Sequence, residues 1–134
     1  MRWRRRSRIA LGLIAAAIFW TAAGFSFRTY KAARRLTEAS TFVAGDPDLR
    51  WLMRVPGAEA WASRLAARAS PAGRLYGLCG LYVVDSKRYT AALRNLEQED
   101  SAVIIRFGCL ASTHRLTNLA ADVPQLCASF KLAD

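Results

Sequence analysis

The residues from Ile9 to Phe27 form a run of nineteen positions without a single charge. As a helix this run is about 28 Å long at ~1.5 Å per residue. A hydrocarbon core is ~30 Å thick, so the run is just long enough to span one. A core helix in a small domain normally shows a polar face, and this run has none. Trp3, Trp20 and Tyr30 fall near the two expected interfaces, where amphipathic aromatic rings are favoured. The run therefore predicts membrane lipid as a partner of residues 9–27.

Charge follows the same division. The chain of 134 residues has a formal net charge of +10. Arg2, Arg4, Arg5, Arg6, Arg8, Arg28, Lys31, Arg34 and Arg35 lie within residues 1–35, which contain no acid. The rest of the chain is close to neutral. A nucleic-acid binder places its basic excess on a face or arm that tracks phosphates. Here the excess brackets an apolar run, as in membrane-insertion signals, so no nucleic-acid partner is expected. Five arginines precede the run, and the bases that follow it are partly offset by Glu38. The positive-inside bias points the N-terminus to the cytoplasm and the remaining domain to the periplasm, as a single-pass inner-membrane protein.

A cleaved signal has a shorter apolar region followed by a small-x-small site. Thr21-Ala22-Ala23 offers such a site, but the apolar run continues through Gly24, Phe25, Ser26 and Phe27. The segment from Arg28 to Ala39 is rich in helix formers and has no breaker. A retained anchor is the expectation, with cleavage and release to the periplasm as the alternative.

Three segments follow from this pattern: 1–27 as anchor or uncleaved signal, 28–45 as juxtamembrane helix and linker, and 46–134 as a small helical domain. Asp46-Pro47 reads as an N-cap followed by proline at the first helical position, opening a short helix with Leu49, Trp51, Leu52 and Met53. Pro56-Gly57 breaks it. A second helix fits Ala58 to Ala69. A third, capped by Ser70-Pro71, runs to about Val84 with Leu75, Leu78, Cys79 and Tyr82 as its apolar stripe. Gly73, Gly77 and Gly80 form a second stripe on that helix. Glycine costs ~1 kcal/mol in a helix interior, so three of them imply close approach by another helix, with Trp61 in the groove. Asp85-Ser86 caps a fourth helix from Lys87 to about Gln98. Glu97, Glu99 and Asp100 at its end oppose the helix dipole, which points them to solvent or a basic partner.

Val103 to Phe107 is β-branched or aromatic and predicts one short strand, interrupted by Gly108-Cys109. Ser112 or Thr113 is expected to cap a last helix carrying Leu116, Leu119, Ala120 and Val123 and ending at Pro124. Leu126, Phe130 and Leu132 give the tail the means to dock. The fold class is mainly α.

Capped helices with short turns between residues 46 and 98 resemble HEAT-like α-hairpin units. The stretch from Ser70 to Tyr82, then Asp85, and later Phe107-Gly108-Cys109, resembles a group of uncharacterised exported bacterial proteins over roughly residues 47–122. The resemblance implies an exported helical domain and carries no catalytic residue. The chain has room for two hairpins, while solenoids need about three repeats.

In an oxidising compartment Cys79, Cys109 and Cys127 can form a disulfide. Cys79–Cys109 is the expected pair, which would tie the C-terminal segment to the hairpins. Cys109–Cys127 and a fully reduced set are the alternatives. The cysteine spacing and the single histidine predict no metal site. His114 lies beside Ser112 and Thr113 but in no nucleophile-elbow pattern, and no phosphate-binding glycine loop is present. The expectation is a non-enzymatic, protein-binding or envelope-associated domain without a cofactor. A periplasmic enzyme and a cytoplasmic-facing membrane regulator are the alternatives. A pocket lined by His114 and two acids would favour the enzyme. A dry helical core with a wide apolar groove would favour the binding domain.

Overall fold

The cap and breaker signals place most helices where the structure has them. In the computed structural model, residues 2–130 are described, of which the side chains of 2–11 and 21–25 are not. The elements are α1 (Arg2–Thr37), β1 (Thr41–Val43), α2 (Pro47–Leu52), α3 (Ala58–Arg68), α4 (Pro71–Val84), α5 (Ser86–Leu96), β2 (Ala102–Phe107), β3 (Leu110–Arg115), α6 (Leu116–Leu119) and α7 (Val123–Ala128). The protein is mainly helical with a small three-stranded sheet. The chain divides into two compact units, residues 1–31 and 32–134.

The first unit is helix. Its described apolar residues Leu13, Ile14, Ile18, Phe19 and Trp20 are 58–77% exposed. At 3.6 residues per turn these five point to every side of the helix. Among the described residues no helix is long and apolar enough to cross a membrane. Of the apolar run 9–27, the side chains of 9–11 and 21–25 lie outside those described. So do Trp3, the Thr21-Ala22-Ala23 site and, at the other terminus, Leu132.

The second unit is built around α4. From Ala72 to Leu81 this helix is buried on all sides, except at Arg74. Ser70 caps it by accepting from Gly73 N at 3.1 Å, and its own hydroxyl donates to Ala39 O at 2.6 Å. Asp46 caps α2 by accepting from Asp48 N at 2.9 Å, and Asp85 caps α5 by accepting from Lys87 N and Arg88 N, each at 3.1 Å.

The glycine stripe of α4 does receive another helix, but Trp61 is not what fills it. A Cβ at Gly77 would stand 2.2 Å from Ala66 N and 2.8 Å from Ala62 O. At Gly77 the backbone of α3 itself lies on α4 and only glycine leaves room for it, whereas Gly73 meets Ala69 Cβ and Leu36 O, and Gly80 meets the side chains of Ala62 and Met53. Of the carboxylates at the end of α5, Glu97 is exposed, Glu99 pairs with Arg74, and Asp100 with Arg115 at 2.5 Å.

The C-terminal third differs from expectation. The sheet order is β1-β2-β3, with β1 parallel to β2 (Phe42 beside Ile105) and β2 antiparallel to β3 (Ile105 beside Ser112). Residues 112–115, expected to cap and open a helix, continue β3. Gly108-Cys109 does not interrupt one strand but joins two. Gly108 has φ +58° and no non-glycine residue described has positive φ, which fits a two-residue II′ hairpin turn. Thr41–Val43, expected within the linker, form β1. Pro124 stands in the first turn of α7 and so opens a helix where a helix end was expected.

Phe130 is buried, as expected of a docked tail. Its ring lies edge-on to Phe42 at 5.9 Å and to Tyr76 at 6.4 Å, and the latter two rings lie 4.7 Å apart.

The disulfide joins Cys79 to Cys127, with Cα atoms 4.8 Å apart, and Cys109 is free and exposed. This corrects the expected Cys79–Cys109 pair and its Cys109–Cys127 alternative. Cys109 sits exposed in the two-residue turn that joins β2 to β3. Cys127 sits on α7, which packs against α4 with both cysteines buried.

Candidate functional site

Two places in the second unit gather polar side chains. One is a knot beneath β1. Asp46 is 3% exposed, caps α2 and pairs with Arg35, which also pairs with Asp48. Tyr76 Oη accepts from Val43 N at 2.7 Å and lies 3.3 Å from Asp46 Oδ2 and 3.4 Å from Thr41 O. Burial, and secondarily the Asp46 charge, raise the Tyr76 pKa to about 12, against the opposing effect of the Val43 N–H bond. Every polar group here is engaged with another, so the knot fastens β1 and α2 to α4 and presents no free reactive atom. The capping role of Asp46 was legible in the sequence. The contributions of Arg35 and Tyr76 were not, because they lie 11 and 30 residues away from it.

The second place is a groove of about 490 Å³ lined by Ile105, Phe107, His114, Leu119, Asp122, Gln125 and Leu126. Its origin is the alternation of side chains across a sheet. Val103, Ile105 and Phe107 of β2 stand beside His114, Ser112 and Leu110 of β3 on the same face. Val103 and Ile105 are buried under the helices, whereas every residue of β3 is exposed. β3 therefore overhangs the edge of the core, and α6–α7 form the opposite wall of the groove.

His114 Nε2 and Ser112 Oγ are 2.7 Å apart, a spacing set by their i, i+2 positions on one strand face. Among the described residues Ser112 is the one side chain hydrogen-bonded to His114. Asp122 is the acid that lines the groove, where the enzyme reading called for two. A nucleophile–base pair acts when a third group orients the base and donors await an oxyanion. Neither accompanies this pair in the described geometry. The groove is instead mostly apolar, and Phe107 and Leu110 at the hairpin tip are 51% and 75% exposed.

Among the described residues no group of three histidine, cysteine or acidic side chains could hold a metal ion. Of the residues singled out for chemistry, the structure buries Cys79 in a disulfide, leaves Cys109 at the hairpin tip and brings His114 to the groove. Asp122, Gln125 and the overhang of β3 were not anticipated. Gly108-Cys109 after the strand-like run of β2 is half of a hairpin signal, but Leu110–Arg115 is too poor in β-branched and aromatic residues to complete it, so β3 was not legible. No protein-family model, no curated protein and no solved structure matches this chain.

Proposed function

We propose that this protein is a single-pass, membrane-anchored, non-enzymatic domain that binds a protein partner at the periplasmic face of an inner membrane. The observation that carries the reading is the helix of the first unit, with its large apolar side chains exposed on every side. A helix apolar all round needs an apolar surrounding, and lipid supplies it along residues 9–27. The basic residues before the run support a cytoplasmic N-terminus. The Cys79–Cys127 disulfide supports an oxidising compartment for the second unit. In this reading the helical pairs of α2–α5, HEAT-like in kind, are the scaffold, and the apolar groove beside β3 supports protein binding over catalysis.

Fractionation of the full chain with a C-terminal tag, combined with intact mass, tests the anchor. The full-length chain should sediment with membranes and resist alkaline extraction. Loss of about 23 residues would mean cleavage after Ala23 and would sink the anchor. Cys109, free and exposed, is a built-in reporter of orientation. A membrane-impermeant maleimide applied to the periplasmic side should label it. Labelling only after the inner membrane is opened would invert the topology.

A further inference from the structure

We propose that the open edge of β3 accepts an extended segment of another protein as a fourth strand, one with alternating apolar side chains and a lysine or arginine among them. This rests on the reading of the second unit as a protein-binding domain and names its site and the class of its partner.

The edge itself is the first argument. β3 is six residues long and ends the sheet, with every side chain exposed. Leu116 N donates to Ser101 O at 2.9 Å, and Ser101 and Leu116 continue the register in which Ala102 faces Arg115. Hydrogen-bonded pairs alternate along an antiparallel ladder. Ser112 and His114 therefore turn their backbone N–H and C=O groups to β2. Ala111, Thr113 and Arg115 turn theirs outward, to an edge with no strand beyond it among the described residues.

Natural edges are usually blunted by proline, lysine, bulges or shortness. β3 has no proline or lysine, and its register with β2 is unbroken over six pairs. Its one full charge, Arg115, stands at the end of the strand and is held by Asp100 at 2.5 Å.

The groove supplies the second argument. Alternate residues of an added strand would lie beside Ser112 and His114 and point to the face where Ile105, Phe107, Leu119 and Leu126 are. Those positions call for apolar side chains. Asp122 is exposed on the same wall and has no ion-pair partner among the described residues. It occupies the N-cap position of α7, yet its side chain makes no capping hydrogen bond. A carboxylate so placed is complementary to a base on the incoming strand. A second copy of this chain would offer Leu110, Ser112 and His114 on that face and no lysine or arginine, so it meets the charge requirement less well than a different protein does.

The test uses the full chain in detergent micelles and fluorescent ten-residue synthetic peptides that alternate valine and threonine. A central inward-facing position carries lysine, glutamine or glutamate. The lysine peptide should bind tightest. Asp122→Asn should weaken it about two- to fivefold, the size of an exposed ion pair, and should level the three peptides. Methylating the peptide amides that face β3 should abolish binding, whereas methylating the alternate amides should spare it. The ligand-side variants need no change to the fold. The proposal is overturned if no peptide of the series binds, if glutamate serves as well as lysine, or if both methylation patterns act alike. It is also overturned if Thr113→Cys in a Cys109→Ser background cross-links to a dimer across this edge, since a second copy would then occupy it. Capture of a folded partner that no peptide displaces would sink strand addition and leave the protein-binding reading intact.

Discussion

Gly77 is the position where a single methyl group should do most damage. An alanine Cβ there would lie 2.2 Å from Ala66 N, 2.7 Å from Ala66 Cα and 2.8 Å from Ala62 O. Carbon contacts are comfortable at ~3.5–4 Å, so α3 must withdraw from α4 by roughly 1 Å. The obstacle is backbone, which has no rotamer to change. Overpacking of this kind costs ~1–3 kcal/mol, and the upper end applies where backbone must move. Replacing glycine by alanine in a helix interior returns ~1 kcal/mol. The net expectation for Gly77→Ala is a loss of about 2 kcal/mol. For a domain of this size that is about 10 °C in Tm. Near-UV circular dichroism of the full chain in detergent, heated with the disulfide intact, reads it through the packing of Trp51 and Trp61. Gly80→Ala is the internal comparison. Its nearest neighbours are Ala62 Cβ at 2.9 Å and the flexible end of Met53 at 3.0 Å, so it should lose clearly less. If Gly77→Ala melts at or above the parent temperature, or if Gly80→Ala is the more damaging, the account of helix contact through backbone is wrong.

Four further predictions rest on the same packing. Reducing the Cys79–Cys127 disulfide, or replacing either cysteine by serine, should lose about 4 kcal/mol for a separation of 48 residues, whereas Cys109→Ser should stay within about 0.5 kcal/mol in urea titration. Tyr76→Phe leaves Val43 N–H without its acceptor and should lose about 1–3 kcal/mol, seen as a lower urea midpoint with an unchanged slope. Because the folded state raises the Tyr76 pKa to about 12 above an ordinary value near 10, its contribution is complete below pH 10 and is lost as pH rises toward 12; the ultraviolet difference between the parent and Tyr76→Phe should show this tyrosine ionising near 12, and ionisation near 10 would refute the buried placement. Asp46→Ala removes the α2 cap and one of the two countercharges of Arg35 together and should lose about 2 kcal/mol, with Asp46→Asn retaining part of the cap, as measured by thermal melts of the three proteins.

The sequence by itself determined the local structure. Asp46-Pro47, Ser70-Pro71 and Asp85-Ser86 mark helix starts because a capping oxygen and a fixed proline φ act within one turn of the chain. The glycine stripe on α4 announced a close helix neighbour, since three such costs are tolerated only where space is needed. The charge-free run from Ile9 to Phe27 and its arginine flank were likewise evident from adjacent residues alone. What depended on distant residues was not legible. β1 is three residues long and is strand only because β2, sixty residues later, offers a parallel edge. β3 reads Leu-Ala-Ser-Thr-His-Arg, with little strand character of its own, and it is pairing with β2 that extends it. Cys127 meets Cys79 because α7 folds back on α4, a contact to which the spacing of cysteines gives no clue. The groove arises from the same cause. Its apolar floor, its unpaired Asp122 and its open strand edge come from four separate elements, and only their packing brings them to one place.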